Sequence, residues 1–239
     1  MIGYGHGVSL LGPGAHRVDR LAGGGTVDGN PPTLAADLML IMLDGSSGRL
    51  RVDRQTVSYA LAGALLVELW LTGRITLERC RVVSVPDRPL PTDDLLRRTL
   101  GWLLTEPDHA EVGPWIEALA SSALDLVAEQ LERSGWIRRV DRHLSAAGVI
   151  YEPVDRLRVV WRSDRLVSVL AGDPQWPDLL LFVLVDAAGF TSRLLRTSGR
   201  PPSRDRLVAL YEGVLRSYPS VVELMSVVSG IVDRTVAAS

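Results

Sequence analysis

Tyr59-Ala-Leu-Ala-Gly-Ala-Leu-Leu-Val-Glu-Leu-Trp-Leu-Thr-Gly-Arg-Ile-Thr-Leu77 is the stretch whose reading decides the fold of this chain. Between Thr56 and Thr72, Val57, Leu61, Leu65 and Leu69 recur at helical spacing, and Ala60, Ala64, Val67 and Leu71 form an adjoining stripe. A helix apolar on two sides belongs in the middle of a core. Gly73 supplies the left-handed residue that closes a helix, after which Arg74 to Cys80 alternates as a strand and Arg81 to Val85 returns as its partner.

Upstream of this unit, Pro32-Thr33 is a helix-start signal followed by the apolar run Leu34 to Leu43, a turn at Asp44 to Gly48 and a short strand at Leu50 to Val52. Downstream, the prolines at 86, 89 and 91 end the hairpin, and Thr92-Asp-Asp opens a helix through Leu104. Asp93 and Asp94 fall in its first turn, where the helix dipole favours carboxylates, so they read as caps rather than as acid-base groups. Pro114 opens another helix, and Leu124 to Ser134 reads as a further one closed by Gly135, with Trp136 to Val140 extended after it. QLERSGWI at 130–137 echoes ELWLTGRI at 68–75, a weak sign of an internal repeat. Residues 148–161 are predicted as a hairpin whose arms are Gly148 to Glu152 and Leu157 to Trp161. Helices follow at 164–170, 177–188, 203–217 and 220–237, with Ser203 as an N-cap. The chain therefore reads as mainly α: a single globular helical domain over 34–239 with small β-hairpins. Residues 1–33 hold nine glycines and few large apolar side chains, a composition that predicts a flexible tail.

With 239 residues, 46% of them hydrophobic, the chain is long enough to bury one sizeable core. The net charge of -2 gives no general attraction to nucleic acid or to an anionic membrane surface. All 26 basic residues are arginine, which excludes Schiff-base and lysine-base chemistry while leaving side chains well suited to phosphate. The single cysteine, Cys80, cannot close an internal disulfide, and its place in an alternating segment predicts strand or core packing. The longest apolar run, Leu179 to Val185, is too short to span a bilayer, and no signal-peptide pattern opens the sequence, so the expected location is the cytoplasm. Four scattered histidines lack metal-ligand spacing, and no nucleophile elbow, zinc helix or phosphate loop is present, so no cofactor and no enzymatic activity are expected. The six tryptophans read mostly as core, and the pairs Arg51/Arg54, Arg97/Arg98 and Arg138/Arg139 as solvated or ion-paired faces.

The segment from Gly48 to Ile75 resembles the Golgi phosphoprotein 3 family. The similarity continues through Asp94-Leu-Leu, Trp115-Ile-Glu-Ala-Leu, Leu131 to Ile137, and Asp173-Pro to Leu195. The resemblance implies a mainly helical fold, binding of phosphatidylinositol 4-phosphate, binding of protein tails, and a protruding hairpin for self-association and membrane contact, which would be residues 148–161. The lysine-free composition looks like that of a bacterial, actinobacterial member. The family's headgroup pocket uses a tryptophan and three arginines, and the corresponding positions here are Asp53, Ala62, Ser121 and Leu124. At about 1.5 kcal/mol or more for each charge-assisted bond, losing three arginines removes about 4.5 kcal/mol, roughly three decades of affinity. Arg51 and Arg54 flank Asp53 and suggest a shifted anion site. The sequence thus reads as a non-enzymatic, adaptor-like protein, cytoplasmic and peripheral at the inner membrane face. Its expected partners are an anionic or inositol phospholipid headgroup, a protein, and a second copy of itself, with altered or lost phosphoinositide recognition. The alternative reading, a winged-helix-like DNA-binding regulator, rests on the repeated helix-glycine-hairpin pattern and is opposed by the net charge.

Overall fold

Thr33 is where the described structure begins, and its hydroxyl accepts from the Ala36 amide at 3.2 Å to cap the first helix, α1 (Leu34–Ile41). The computed structural model describes residues 33–85, 88–105, 110–141, 149–196 and 201–238; residues 1–32, expected to be a flexible tail, and all four histidines lie outside these. After α1 come α2 (Arg54–Leu71), β1 (Ile75–Glu78), β2 (Arg81–Ser84), α3 (Asp94–Leu103), β3 (Ala110–Glu111), α4 (Val112–Arg133), β4 (Ile137–Asp141) and β5 (Val149–Pro153). The chain then continues as α5 (Arg156–Ala171), α6 (Trp176–Ala187), α7 (Thr191–Arg196), α8 (Arg204–Ser217) and α9 (Pro219–Ala237).

α2 forms where its two apolar stripes predict, and every residue from Ala60 to Leu69 is buried. It packs against α1, α3, α4, α6 and α9, so it is the axis of one contiguous apolar core. Gly63 brings α2 close to α9: a Cβ there would lie 2.8 Å from Cγ2 of Val228. Gly73, at φ 66°, ends the helix, and the Arg74 amide returns to the Leu69 carbonyl at 2.9 Å. Gly135, at φ 72°, repeats the device after α4, with the Trp136 amide on the Leu131 carbonyl.

β1, β2 and β3 form an antiparallel sheet in that order, and β4 pairs with β5 from Ile137↔Pro153 to Asp141↔Val149. This corrects the hairpin read over 148–161. Its first arm pairs backward with β4, and its supposed second arm, Leu157 to Trp161, is the start of α5. Asp155 decides the matter: its Oδ1 accepts from the Leu157 and Arg158 amides, and the buried positions Val159, Ser163, Leu166, Val167 and Leu170 follow helical spacing. The local β-propensity of Val-Val-Trp loses to a cap and a core-facing stripe.

Other elements also differ from expectation. Pro114 sits in the first turn of α4, where its missing N–H costs nothing, and the helix runs unbroken to Arg133 instead of dividing before Leu124. The strand expected at Leu50 to Val52 is reduced to a bridge between Leu43 and Leu50. Cys80 does not pack in a strand: it is exposed, at φ 59°, in the turn between β1 and β2. α7 was not anticipated.

Two polar anchors hold the otherwise apolar α1. Oε1 of the buried Glu68 accepts from the Ala35 amide at 2.8 Å, closing the start of α1 from α2. On the other side Asp37 pairs with Arg162 of α5, while Arg165, one turn on, reaches the buried Asp178 at 2.8 Å. The Arg158 guanidinium lies 3.9 Å from the centre of the Trp136 ring, joining α5 to the start of the β4–β5 hairpin.

A candidate anion-binding site

Gly189, at φ 65°, ends α6 and turns the chain so that the Phe190 amide bonds the Val185 carbonyl at 3.0 Å. Phe190 and Leu194 are buried and seat α7 on the body of the protein, and the Thr191 hydroxyl donates to Asp186 at 2.9 Å. Seating α7 by Leu194 leaves Arg193 and Arg196, one turn apart, on its exposed side.

Facing α7 is the segment that leads into α2. Arg51 is held by its own amide, which donates to the Met42 carbonyl at 2.8 Å, and Asp53 caps α2 by accepting from the Thr56 amide at 2.8 Å. Between the two segments is an open cavity of about 360 Å³ lined by Arg51, Asp53, Phe190, Ser192, Arg193 and Arg196, among others. Nη1 of Arg51 is buried and has no hydrogen-bond partner, and neither Arg193 nor Arg196 has an acidic partner among the described residues. Three arginines and one carboxylate therefore line the same cavity, and that carboxylate is already turned to the positive end of α2. Such a lining is rich in donors of the kind that form charge-assisted hydrogen bonds.

The residues singled out in the sequence divide. Of Asp53, Ala62, Ser121 and Leu124, only Asp53 lines the cavity; Ala62 and Leu124 are buried in the core, and Ser121 is exposed on α4 with its hydroxyl donating to the Ala118 carbonyl at 2.7 Å. Arg51 borders the cavity, whereas Arg54 reaches elsewhere: its Nη2 donates to both Asp125 oxygens at 2.8 and 2.9 Å and its Nη1 to the Tyr151 hydroxyl at 2.9 Å. The other arginine pairs are largely engaged, with Arg97 on Asp94, Arg98 on Glu129 and Arg139 on Glu132. Sequence reasoning missed Arg193 and Arg196. Their signal was Gly189 as a helix stop followed by Thr191 as a new start, although nothing local shows that this short helix faces Arg51.

No group of three or more His, Cys, Asp or Glu among the described residues is placed to hold a metal ion. None of the described helices is long and apolar enough to cross a membrane.

Residues 34–228, from α1 into α9, match the family model of Golgi phosphoprotein 3 (GPP34). The chain belongs to the Golgi phosphoprotein 3 family. The match starts at the first helix and includes both segments of the arginine cavity, so the GPP34 domain carries the whole candidate site. No curated protein matches the chain.

Proposed function

We propose that this GPP34 domain is a non-catalytic, peripheral membrane or adaptor-like protein whose Arg51–Arg193–Arg196 cavity takes a phosphate-bearing lipid headgroup. The observation that carries this reading is the convergence of three arginines on one cavity, with a buried Arg51 nitrogen that lacks a partner. Arginine suits the role because its planar guanidinium donates bidentately to phosphate oxygens. Asp53 opposes the charge of a ligand, so the recognition differs in kind from a pocket built of tryptophan and arginine at the family positions. No arrangement among the described residues favours the DNA-binding alternative.

Flotation with vesicles carrying phosphatidylinositol 4-phosphate, phosphatidylserine at matched charge, or phosphatidylcholine alone tests the proposal. The wild-type chain is expected to bind the phosphomonoester headgroup best. Arg193→Ala/Arg196→Ala should weaken that binding at least about tenfold, since each lost charge-assisted bond is worth roughly 1.5 kcal/mol or more. Undiminished binding by this variant rules the cavity out.

A further inference from the structure

The arginine cavity keeps its one carboxylate apart from its cations. Among the described residues Asp53 makes no ion pair with Arg51, Arg193 or Arg196, and none of these arginines pairs with another acid. A carboxylate that served only to neutralise the arginines would close on one of them, because the direct guanidinium–carboxylate contact is the stronger arrangement. Here the two signs border one open space of about 360 Å³, with Asp53 at the start of α2 and Arg193 and Arg196 on α7.

Capping α2 does not exhaust Asp53 either. Its Oδ1 accepts from the Thr56 amide at 2.8 Å, and its Oδ2 has no partner among the described residues. Serine or asparagine would cap the helix equally well without a charge. Asp53 is exposed, so its second oxygen is available to a ligand as an acceptor. The volume also asks for more than a phosphate: about 360 Å³ falls within the roughly 300–1,000 Å³ of small-molecule sites.

We infer that Asp53 is a specificity-determining residue that selects a phosphate with a hydroxyl beside it, so that the cavity takes a phosphorylated polyol in preference to a simple phosphate. This rests on the headgroup reading and adds to it the residue that reads the ligand beyond its phosphate. A phosphate alone at the arginines meets Asp53 as a like charge. A polyol phosphate offers a hydroxyl donor to Oδ2, which makes the same carboxylate a charge-assisted acceptor. Discrimination then has two sources, the bond gained by the right ligand and the repulsion kept for the wrong one. An ammonium beside the phosphate would also satisfy Oδ2, but it would enter the field of three guanidinium groups, whereas a hydroxyl brings no net charge.

The experiment measures calorimetric binding of inositol 4-phosphate, cyclohexyl phosphate and phosphoethanolamine to the full chain and to Asp53→Ser and Asp53→Asn. At about pH 8 the first two carry the same phosphate dianion on the same size of ring and differ in the hydroxyls. Both substitutions keep a helix cap, so the melting curves should stay close to wild type. The wild type is expected to prefer inositol 4-phosphate to cyclohexyl phosphate by at least about tenfold. Asp53→Ser should bind inositol 4-phosphate more weakly and cyclohexyl phosphate more tightly, so the preference collapses from both sides. Asp53→Asn, which retains an acceptor oxygen, should keep part of it. The same ranking on vesicles, phosphatidylinositol 4-phosphate over phosphatidic acid, makes the ligand a lipid; the ranking with soluble compounds alone makes it a free polyol phosphate. Equal wild-type affinity for the two ring phosphates overturns the inference and leaves the headgroup reading standing. So does an Asp53→Ser variant that changes both affinities by the same factor, and so does a wild-type preference for phosphoethanolamine. A wild type that binds none of these compounds and neither vesicle overturns the headgroup reading, and this inference with it.

Discussion

Glu68 lies on α2 among residues that are otherwise apolar, and burial pushes its carboxyl up to about 8, against the opposing pull of the Ala35 amide and with a further upward push from Asp93. Oε2 has no partner, so the acid is better placed neutral than charged. The sign of the pH dependence follows. Below about pH 4.5 the folded and unfolded chains both hold this proton; between there and about 8 only the folded chain does, so stability falls as pH rises, and it levels off above. Glu68→Gln keeps an acceptor for the Ala35 amide and removes the titration. Urea unfolding at pH 5 and pH 8 should show wild type losing about 2–4 kcal/mol more than the variant over that interval. Asp37, raised to about 6 by burial despite Arg162 and Arg165, adds a slope common to both proteins and cancels in the comparison. Parallel pH profiles for the two would mean that Glu68 ionises as an ordinary surface acid.

Packing between elements turns on Gly63. Alanine is intrinsically better in a helix by about 1 kcal/mol, but the new Cβ would meet a methyl of the stiff, β-branched Val228 at 2.8 Å and wedge α2 from α9. Overpacking a tight core costs about 1–3 kcal/mol, so Gly63→Ala should destabilise the fold by a net of up to about 2 kcal/mol and lower the unfolding midpoint. Adding Val228→Ala should recover part of that loss, giving a double variant more stable than the sum of the singles; simple additivity would show that the close approach carries no strain. The elements that were legible in the sequence are those whose signals are local. α2 announces itself by periodicity, the β1–β2 hairpin by alternation after Gly73, and α3 and α8 by Asp93 and Ser203 as caps. The segment 157–161 was not legible, because Val-Val-Trp favours a strand locally and only the cap at Asp155 and the core behind Val159 make it helical. The glycine-ended helix was readable at 133–135, whereas the partner of the strand that follows it is a tertiary fact.

For the whole molecule the same limit applies to the site. Asp53 and Arg51 could be named from their place before α2, but the arginines that line the cavity with them come from α7, far along the chain, and the packing of α5 and α6, which carry α7, on α1 and α2 brings the segments together. That packing also determines how the protein should unfold. α2 touches helices from both ends of the described sequence, the apolar core is one cluster from Ala35 to Val232, and α5, α6 and α9 each pack on α1 or α2. One domain is therefore the reading proposed for residues 34–239, and it makes a sharp claim about cooperativity. Trp70, Trp102, Trp115, Trp136, Trp161 and Trp176 sample α2 through α6, so tryptophan fluorescence reports on much of the fold while far-ultraviolet circular dichroism reports all the helices. Urea titrations followed by the two signals should superimpose on a single transition. A second transition, or a fluorescence midpoint below that of the helix signal, would show that the helices from α5 onward make a separately stable unit. In that case the arginine cavity would join two bodies, and its geometry would change with their relative motion.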